Sequence, residues 1–455
     1  MSLTALMTYL NGGPRPGAVA CLTGGSYGSA TTTFTLTKGG TVGAPVSIIE
    51  HPAATTDAVI AGRIVIARGA DNVVVGKLHL VGPGTGTASA YSIDANNVEF
   101  VGNDISAPNR ICISVGGGLR SATTTSPKVT GFVADGNRVH DCGTNLAKTG
   151  SPQAHGLYLE YSSGAVVRNN LIRNPVGRGV QLFNDADGSL IENNIFDGNF
   201  AAVNFGGGTM GSASVDPRPE NNVVQHNIVT NGVRWCNTSN QCQRALFVQG
   251  YHAASDASPP SNDPQTKVGA TWGNVVRSNC VWFASSAVAV PYNDWEPGYR
   301  YETTNKFIDP QYNNGSVGDF RLKATSPCLG TGPRPILNGV SASATKTSIT
   351  TAARLRSPIM TATYRLQVRL CATTITTVTS TVPCNGSWVN STVAATAATD
   401  DSVNRTVSGL LANRIYEYRM VSWQALLSAP GPSVDYTATT QYWTATAPLK
   451  VKTPV

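Results

Sequence analysis

His155, Tyr158 and Glu160 lie within six positions of one another in QAHGLYLEYSSG, residues 153–164. An imidazole that titrates near neutral pH, a phenol and a carboxylate are groups from which general acid–base catalysis is built. Arg178 and Gln181 follow in GRGVQLF and Asn204 in AAVNFGG. A base, a hydroxyl, amides and a cation on one surface suit a polyhydroxylated substrate that carries carboxylates. For β-elimination of a uronate, His155 or an activated Tyr158 takes the C5 proton, while Arg178 neutralises the carboxylate and the charge that develops on it. Hydrolysis instead requires two carboxylates roughly 5 to 9 Å apart around the bond. Glu160 has partners for this in Asp185 and Asp187, but both sit in NDADG, where turn formation explains them. A plainer reading stands beside the chemical one. His155 then only bonds a loop carbonyl, Tyr158 and Gln181 are solvent-face ladder residues, and Arg178 pairs with Glu160 or Asp185.

Which of these holds depends on the elements that position the residues, and the chain is visibly repetitive. Successive segments read NVEFVGNDI from Asn97, KVTGFVADGNRV from Lys128, AVVRNNLI from Ala165, SLIENNIF from Ser189, NVVQHNIV from Asn222 and NVVRSNCV from Asn274. Each contains an Asn at the same place: Asn103, Asn137, Asn170, Asn194, Asn227 and Asn279. A second strand follows in every unit, ICISV, GLYLE, GVQLF, AVNFG, ALFVQ and AVAVP. Short alternating strands with no helical pattern between them cannot each bury a core, but stacked as solenoid coils they can. The recurring Asn marks an internal turn that tolerates a left-handed residue, with amides bonding along the stack.

Residues 15–330 are therefore expected to form a right-handed, single-stranded parallel β-helix, preceded by a cap at 1–14. In that register Leu157, Val180, Val203, Leu246 and Val288 face the core, and Ser114, Tyr158, Gln181, Asn204 and Phe247 face outward. His155, Arg178 and Arg244 flank the outward stripe on one side, Glu160 and Gln249 on the other. The long excursion YHAASDASPPSNDPQTKVGATW, residues 251–272, reads as a wall beside the stripe. There Tyr251, Trp272 and the nearby Trp235 could stack on sugar rings; the alternative is a decoration held by buried aromatic anchors. Expected substrate-binding residues are thus Glu160, Gln181, Asn204, Arg244, Tyr251 and Trp272, beside the catalytic set His155, Tyr158 and Arg178. His140 reads as structural, and His79, His226 and His252 show no partner pattern. No dense Asp/Glu cluster suggests a calcium site, so neither metal nor other cofactor is expected.

After a Pro/Gly linker at 331–339 the texture changes to Thr/Val alternating with aromatics, as in TYRLQVRLCA and RIYEYRMVSW. Residues 340–455 fit one small β-sandwich, so the whole chain reads as all-β. Leu410, Tyr416, Tyr418 and Arg419 resemble strands E and F of a fibronectin type III domain, in which a corner Tyr bonds back to the backbone.

Only 13 % of residues are charged, Gly numbers 46, and the formal charge is +7. No basic run interleaves with aromatics, so nucleic acid is not an expected partner. No apolar run approaches the roughly 18 residues of a membrane span. MSLTALMTYLNGG lacks the features of a secretory signal. Among nine cysteines, Cys112/Cys142, Cys236/Cys242, Cys280/Cys328 and Cys371/Cys384 read as disulfides, with Cys21 left over; nine buried free thiols are the alternative. An oxidised chain without a signal suggests an extracellular or virion-associated protein, its signal removed or its release by cell lysis.

ACLTGGSYG, NRVHDCG, HGLYLEYSSG, RNNLIRNPVGRGVQLFNDADG and FIDPQYNN with GDFRLKATSPC resemble the right-handed parallel β-helix family of pectate-lyase-like and alginate-lyase-like proteins. The resemblance covers roughly residues 15–330. It implies the fold more strongly than any activity, because this fold hosts lyases, hydrolases, epimerases, tailspikes and inert fibres. The expected function is binding of an extracellular or cell-surface polysaccharide, with a lyase-type cleavage of an acidic glycan as its enzymatic form. Two alternatives are a non-catalytic phage tail fibre, tailspike or minor tail protein, and a secreted adhesive protein. Tailspikes of this fold associate as trimers, which would add copies of the chain and other virion proteins as partners.

Overall fold

Three short strands per coil, each alternating apolar and polar residues, wind the first part of the chain into a stack of parallel sheets. The computed structural model describes residues 2–51, 53–84, 89–116, 127–145, 154–173, 177–183, 185–207, 218–236, 242–252, 270–283, 289–292, 298–356, 362–371, 384–396, 400–424, 443–445 and 448–454. Two compact units result, Met1–Asp309 and Pro310–Val455. The first is the right-handed parallel β-helix. A helix, Leu3–Asn11, capped by the Ser2 side chain, buries Leu3, Met7 and Leu10 in the same core as the first coils.

One ten-stranded parallel sheet runs from Val19–Leu22 to Arg300–Tyr301. The other two faces form two columns of one sheet, joined where the long strand Ala58–Ile66 pairs with both His79–Val81 and Tyr91–Ile93. The first column continues through Asp104–Ser106, Arg138–His140, Leu171–Arg173 and Ile195–Asp197. The second continues through Ile113–Val115, His155–Leu159, Arg178–Phe183, Ala201–Gly207 and Ala245–His252. Every coil sends alternate side chains into one interior of Ile, Val, Leu and Phe.

Where the ten-stranded sheet turns into the first column, the recurring asparagines form a buried ladder. Asn194 is typical. Its Nδ2 and backbone N–H both donate to Asn227 Oδ1 at 2.9 Å, and Nδ2 also donates to the Val167 carbonyl at 2.9 Å. The same pattern links Asn103, Asn137, Asn170, Asn227, Asn279 and a seventh member, Asn305. The left-handed residue of the turn is the one before the ladder position: Gly102, Gly136, Asn169, Asn193, His226 and Ser278 all have positive φ. The ladder Asn is therefore retained for its amide, and its predecessor takes the backbone strain.

The second unit has two antiparallel sheets around one apolar core. Ile336–Ala344, Ser348–Arg356 and Asp400–Ser408 make one sheet; the other is built on Ala362–Leu370 and Ile415–Gln424. Ile349, Leu355 and Val407 of the first share a core with Leu366, Val368, Tyr418 and Met420 of the second. The Tyr416 hydroxyl accepts a hydrogen bond from the Leu411 backbone N–H at 2.9 Å.

Disulfides join Cys112 to Cys142 and Cys371 to Cys384, while Cys236, Cys280 and Cys328 are also oxidised and Cys21 is free. No helix among the described residues is long and apolar enough to cross a membrane.

Candidate functional site

The second column aligns Ser114, Tyr158, Gln181, Asn204 and Gln249 as successive partners across five coils. Their neighbours Leu157, Leu159, Val180, Leu182, Val203 and Phe205 are buried in the core, so alternation turns the polar residues outward. His155 and Arg178 are paired in register beside this stripe, followed by Ala201 and Leu246. Arg178 Nη2 reaches past the small Ala201 to donate to Gln249 Oε1 at 3.3 Å, two coils on. Asn204 Nδ2 donates to Gln181 Oε1 at 2.8 Å. The His155 and Tyr158 ring centroids lie 5.4 Å apart, and Tyr158 stacks on Phe183 at 6.3 Å. Five of the residues named from the sequence, His155, Tyr158, Arg178, Gln181 and Asn204, thus share one face.

Outward does not mean exposed. Gln181 is 1 % exposed, Asn204 0 % and His155 5 %, whereas Tyr158, Arg178 and Gln249 are half-buried. Among the described residues, His155 Nδ1 and Asn204 Oδ1 are buried with no hydrogen-bond partner. Each is a desolvated polar atom whose bonding capacity is unmet. Burial, and then the Arg178 charge, hold the His155 pKa well below its ordinary value, so the imidazole is neutral at pH 7.

This shift has a measurable sign. A folded-state pKa below the unfolded one means the unfolded chain takes up the proton first, so His155 costs stability as pH falls below about 6.5. His140 acts oppositely: its bond to Asp104 raises its pKa, giving stability at low pH that is lost as pH rises through the folded value. Urea unfolding between about pH 5 and 7.5 should show a shallower acid-side loss in His155→Asn than in the parent, by up to about 1.4 kcal/mol per pH unit. A steeper loss in the variant would contradict the buried, neutral assignment.

The remaining expected residues fall elsewhere. Glu160, 3 % exposed, follows the strand His155–Leu159, and its backbone N–H donates to the Val115 carbonyl at 2.9 Å. Arg244 is exposed but two residues short of the His155–Arg178 row, which Leu246 occupies. The expected pairing of Leu246 with Val203 is corrected accordingly: Val203 pairs with Val248, Asn204 with Gln249, and Phe247 lies fully inside the core. The reason is a break in the alternation. Gly156, Gly179, Ala202 and Phe247 point inward immediately before Leu157, Val180, Val203 and Val248, which also do. Trp272 is 5 % exposed, a core residue in a left-handed turn (φ 49°), and so is not on the stripe. Tyr251 pairs with Gly206 through its backbone, but its side chain, the Trp235 side chain, Val288 and residues 253–269 of the long excursion lie outside the described residues.

Asp185 and Asp187 both bind the Lys128 ammonium, Asp185 at 2.8 Å, which fits their reading as turn residues. A second polar group escaped the sequence reading. On the outer face of the first column, His140 Nε2 lies 2.8 Å and His79 Nε2 3.7 Å from Asp104 Oδ1, with Arg138 beside them. The partners are one coil apart, a relation visible only once the register is known. Among the described residues no group of three or more His, Cys, Asp or Glu is arranged to hold a metal ion.

These coils define the first unit as a right-handed parallel β-helix. Residues 64–249, less than half of the 455, match the family described as "right handed beta helix region". No curated protein matches the sequence. Among solved structures, a rhamnogalacturonan lyase is similar at 12 % identity over 69 % of this chain and 86 % of that one, with a TM-score of 0.37. The tailspike protein of Escherichia coli bacteriophage HK620, solved with a pentasaccharide, is 10 % identical over 89 % and 88 % of the two chains, with a TM-score of 0.38. The enzymatically active domain of bacteriophage CBA120 tailspike protein 2 is 8 % identical over 97 % and 72 %, with a TM-score of 0.24. Such low scores carry no function across.

Proposed function

We propose that the second column of the β-helix is a polysaccharide-binding face of an extracellular or virion-associated protein, selective for glycans that carry carboxylates. The observation that carries this reading is the network spanning four coils, in which Arg178 and Gln249, Gln181 and Asn204 are held in place while His155 Nδ1 and Asn204 Oδ1 keep unmet bonding capacity. A long parallel stack suits a linear polymer, since each coil advances by about 4.8 Å and repeats the same outward position. Seven oxidised cysteines support an oxidising location. The Tyr416–Leu411 bond supports reading the second unit as a fibronectin type III-like sandwich, placed at 340–455 with a β-helix over 15–330.

In the lyase form of this function Arg178 pairs with the uronate carboxylate. His155 or Tyr158 takes the C5 proton, its electron pair forms the C4–C5 double bond, and the C4–O bond breaks with protonation of the leaving oxygen. The near-complete burial of His155 favours binding without turnover as the second reading, that of a virion adhesin.

Both are decided with purified chain on polygalacturonate and alginate, measuring affinity and release of unsaturated uronates. Arg178→Gln should weaken binding about tenfold or more, the scale of a lost charge-assisted hydrogen bond. Unchanged affinity in Arg178→Gln and Gln181→Ala would remove the face from consideration. Binding without uronate release selects the adhesin reading. Release that survives His155→Ala and Tyr158→Phe places the chemistry elsewhere.

A further inference from the structure

The polar stripe of the second column does not begin at Ser114. Ser92 pairs with Ser114 in register, and Val65 of the long strand Ala58–Ile66 pairs with Ser92. Arg63 lies two residues before Val65, where this strand passes from pairing with the first column to pairing with the second. Arg63 Nη2 donates to Ser92 Oγ at 2.9 Å, so its side chain reaches the stripe.

Arg63 differs from other arginines of the coils. Arg68, Arg138, Arg168 and Arg173 meet the carboxylates of Asp94, Asp104, Asp135 and Asp197 respectively. Among the described residues Arg63 meets no carboxylate: its bond is to the neutral Ser92 hydroxyl, and its Nε is buried with no hydrogen-bond partner. Burial lowers its pKa, with no neighbouring charge to offset the lost hydration. A partly desolvated cation without a counter-charge costs stability.

Hydroxyl groups gather at the same place. Between Gly28 and Thr33 the register of Gly25–Leu36 against Ala58–Ile66 shifts, so Ser29–Thr32 bulge out of the ladder. The bulge folds over Gly62, where a Cβ would lie 2.4 Å from the Thr32 carbonyl oxygen and 2.7 Å from that of Ser29. Ser29 Oγ bonds Thr31 Oγ1 at 3.2 Å and Thr32 Oγ1 at 3.0 Å, and the exposed Thr33 pairs with Arg63 itself. From Arg63 the coils continue through Tyr91–Ile93, Ile113–Val115 and His155–Leu159 to the strand of Arg178. Four steps of about 4.8 Å put the two strands roughly 19 Å apart, farther than one sugar ring extends.

We infer that Arg63 is a second carboxylate subsite of the β-helix face, and that the ligand is a linear polyuronate lying along the coils, long enough to reach both Arg63 and Arg178. The inference rests on the glycan-binding reading of that face and adds the length and orientation of the chain it takes. Arg63 offers a guanidinium fork to one carboxylate, and the Ser29–Thr33 bulge offers hydroxyls to the sugar that carries it. Once a chain is held at Arg178, its second contact is intramolecular, so affinity depends on chain length.

The test uses the full chain, with polygalacturonate, trigalacturonate and neutral dextran as probes. Arg63→Gln should bind polygalacturonate about tenfold more weakly than the parent, the scale of one charge-assisted hydrogen bond. Trigalacturonate is too short to reach both arginines, so its affinity at Arg178 should be unchanged in Arg63→Gln. The thermal midpoint of Arg63→Gln should not fall, because the substitution removes a charge that no carboxylate offsets. Arg63→Lys, which keeps the charge, should bind polygalacturonate more tightly than Arg63→Gln does. The inference is overturned if Arg63→Gln binds polygalacturonate as the parent does, if trigalacturonate binding at Arg178 falls as far as that of the polymer, if the Lys variant binds no better than the Gln variant, or if dextran binds equally. Polymer binding lost in Arg178→Gln but kept in Arg63→Gln sinks this subsite and leaves the face standing. Binding kept in both variants sinks the face itself.

Discussion

Asn194→Ala is expected to lower the thermal midpoint of the β-helix by about 10 °C. The residue is completely buried, and its amide touches three coils. Removing it leaves the Val167 carbonyl and the Asn170 backbone N–H without their bonds, and empties the space the amide filled. An unsatisfied buried group costs about 1–3 kcal/mol, so the sum is about 3–5 kcal/mol, and each kcal/mol moves the midpoint of a unit this large by roughly 2–4 °C. Calorimetry on the full chain reads the shift. Asn194→Asp separates hydrogen bonding from shape. It keeps Oδ1 as acceptor for Asn170 but puts a carboxylate oxygen where Nδ2 donates to Val167 and Asn227. Burial raises that acid's pKa in the folded state, so its stability deficit should be smaller near pH 4 than at pH 7. An alanine variant that melts with the parent would mean that the ladder is ornamental.

Gly179→Val should be nearly as damaging, and it reaches the candidate site. A Cβ at Gly179 would lie 2.7 Å from the Ala202 carbonyl oxygen and 2.7 Å from Phe196 Cδ1. The carbonyl belongs to the neighbouring strand and cannot yield without breaking the ladder, so the cost is about 3 kcal/mol, at the upper end for overpacking. Arg178 and Gln181 lie on the same strand, so the backbone shift that relieves the clash also displaces both. The variant should therefore lose glycan affinity together with stability, whereas Arg178→Gln should lose affinity alone. A Gly179→Val protein with parental midpoint and affinity would show that the strand does not pack against Phe196.

Much of this was legible in the chain itself. Recurrence of Asn at Asn103, Asn137, Asn170, Asn194, Asn227 and Asn279 announces coils, because only a repeated turn demands the same amide in the same place. Strand alternation places Leu157, Val180 and Val203 inside and Tyr158, Gln181 and Asn204 outside, as found. Cys112 and Cys142 sit at positions that adjacent coils bring together.

The site itself was less legible, for two reasons. Alternation has a period of two, so it cannot reveal a place where two successive residues turn inward; Phe247 and Gln249 were misplaced by that break. It also separates inside from outside without measuring depth, and Trp272, read as a platform for sugar, is a core residue. Length, composition and repetition determine a coil stack, its direction and its amide spine, because those follow from contacts that recur in every repeat. Tertiary structure alone decided how deeply His155, Gln181 and Asn204 are buried, that Arg178 reaches Gln249 two coils on, and that His79, Asp104 and His140 meet on the first column. Those relations join residues far apart in sequence, and no local pattern encodes the distance between them.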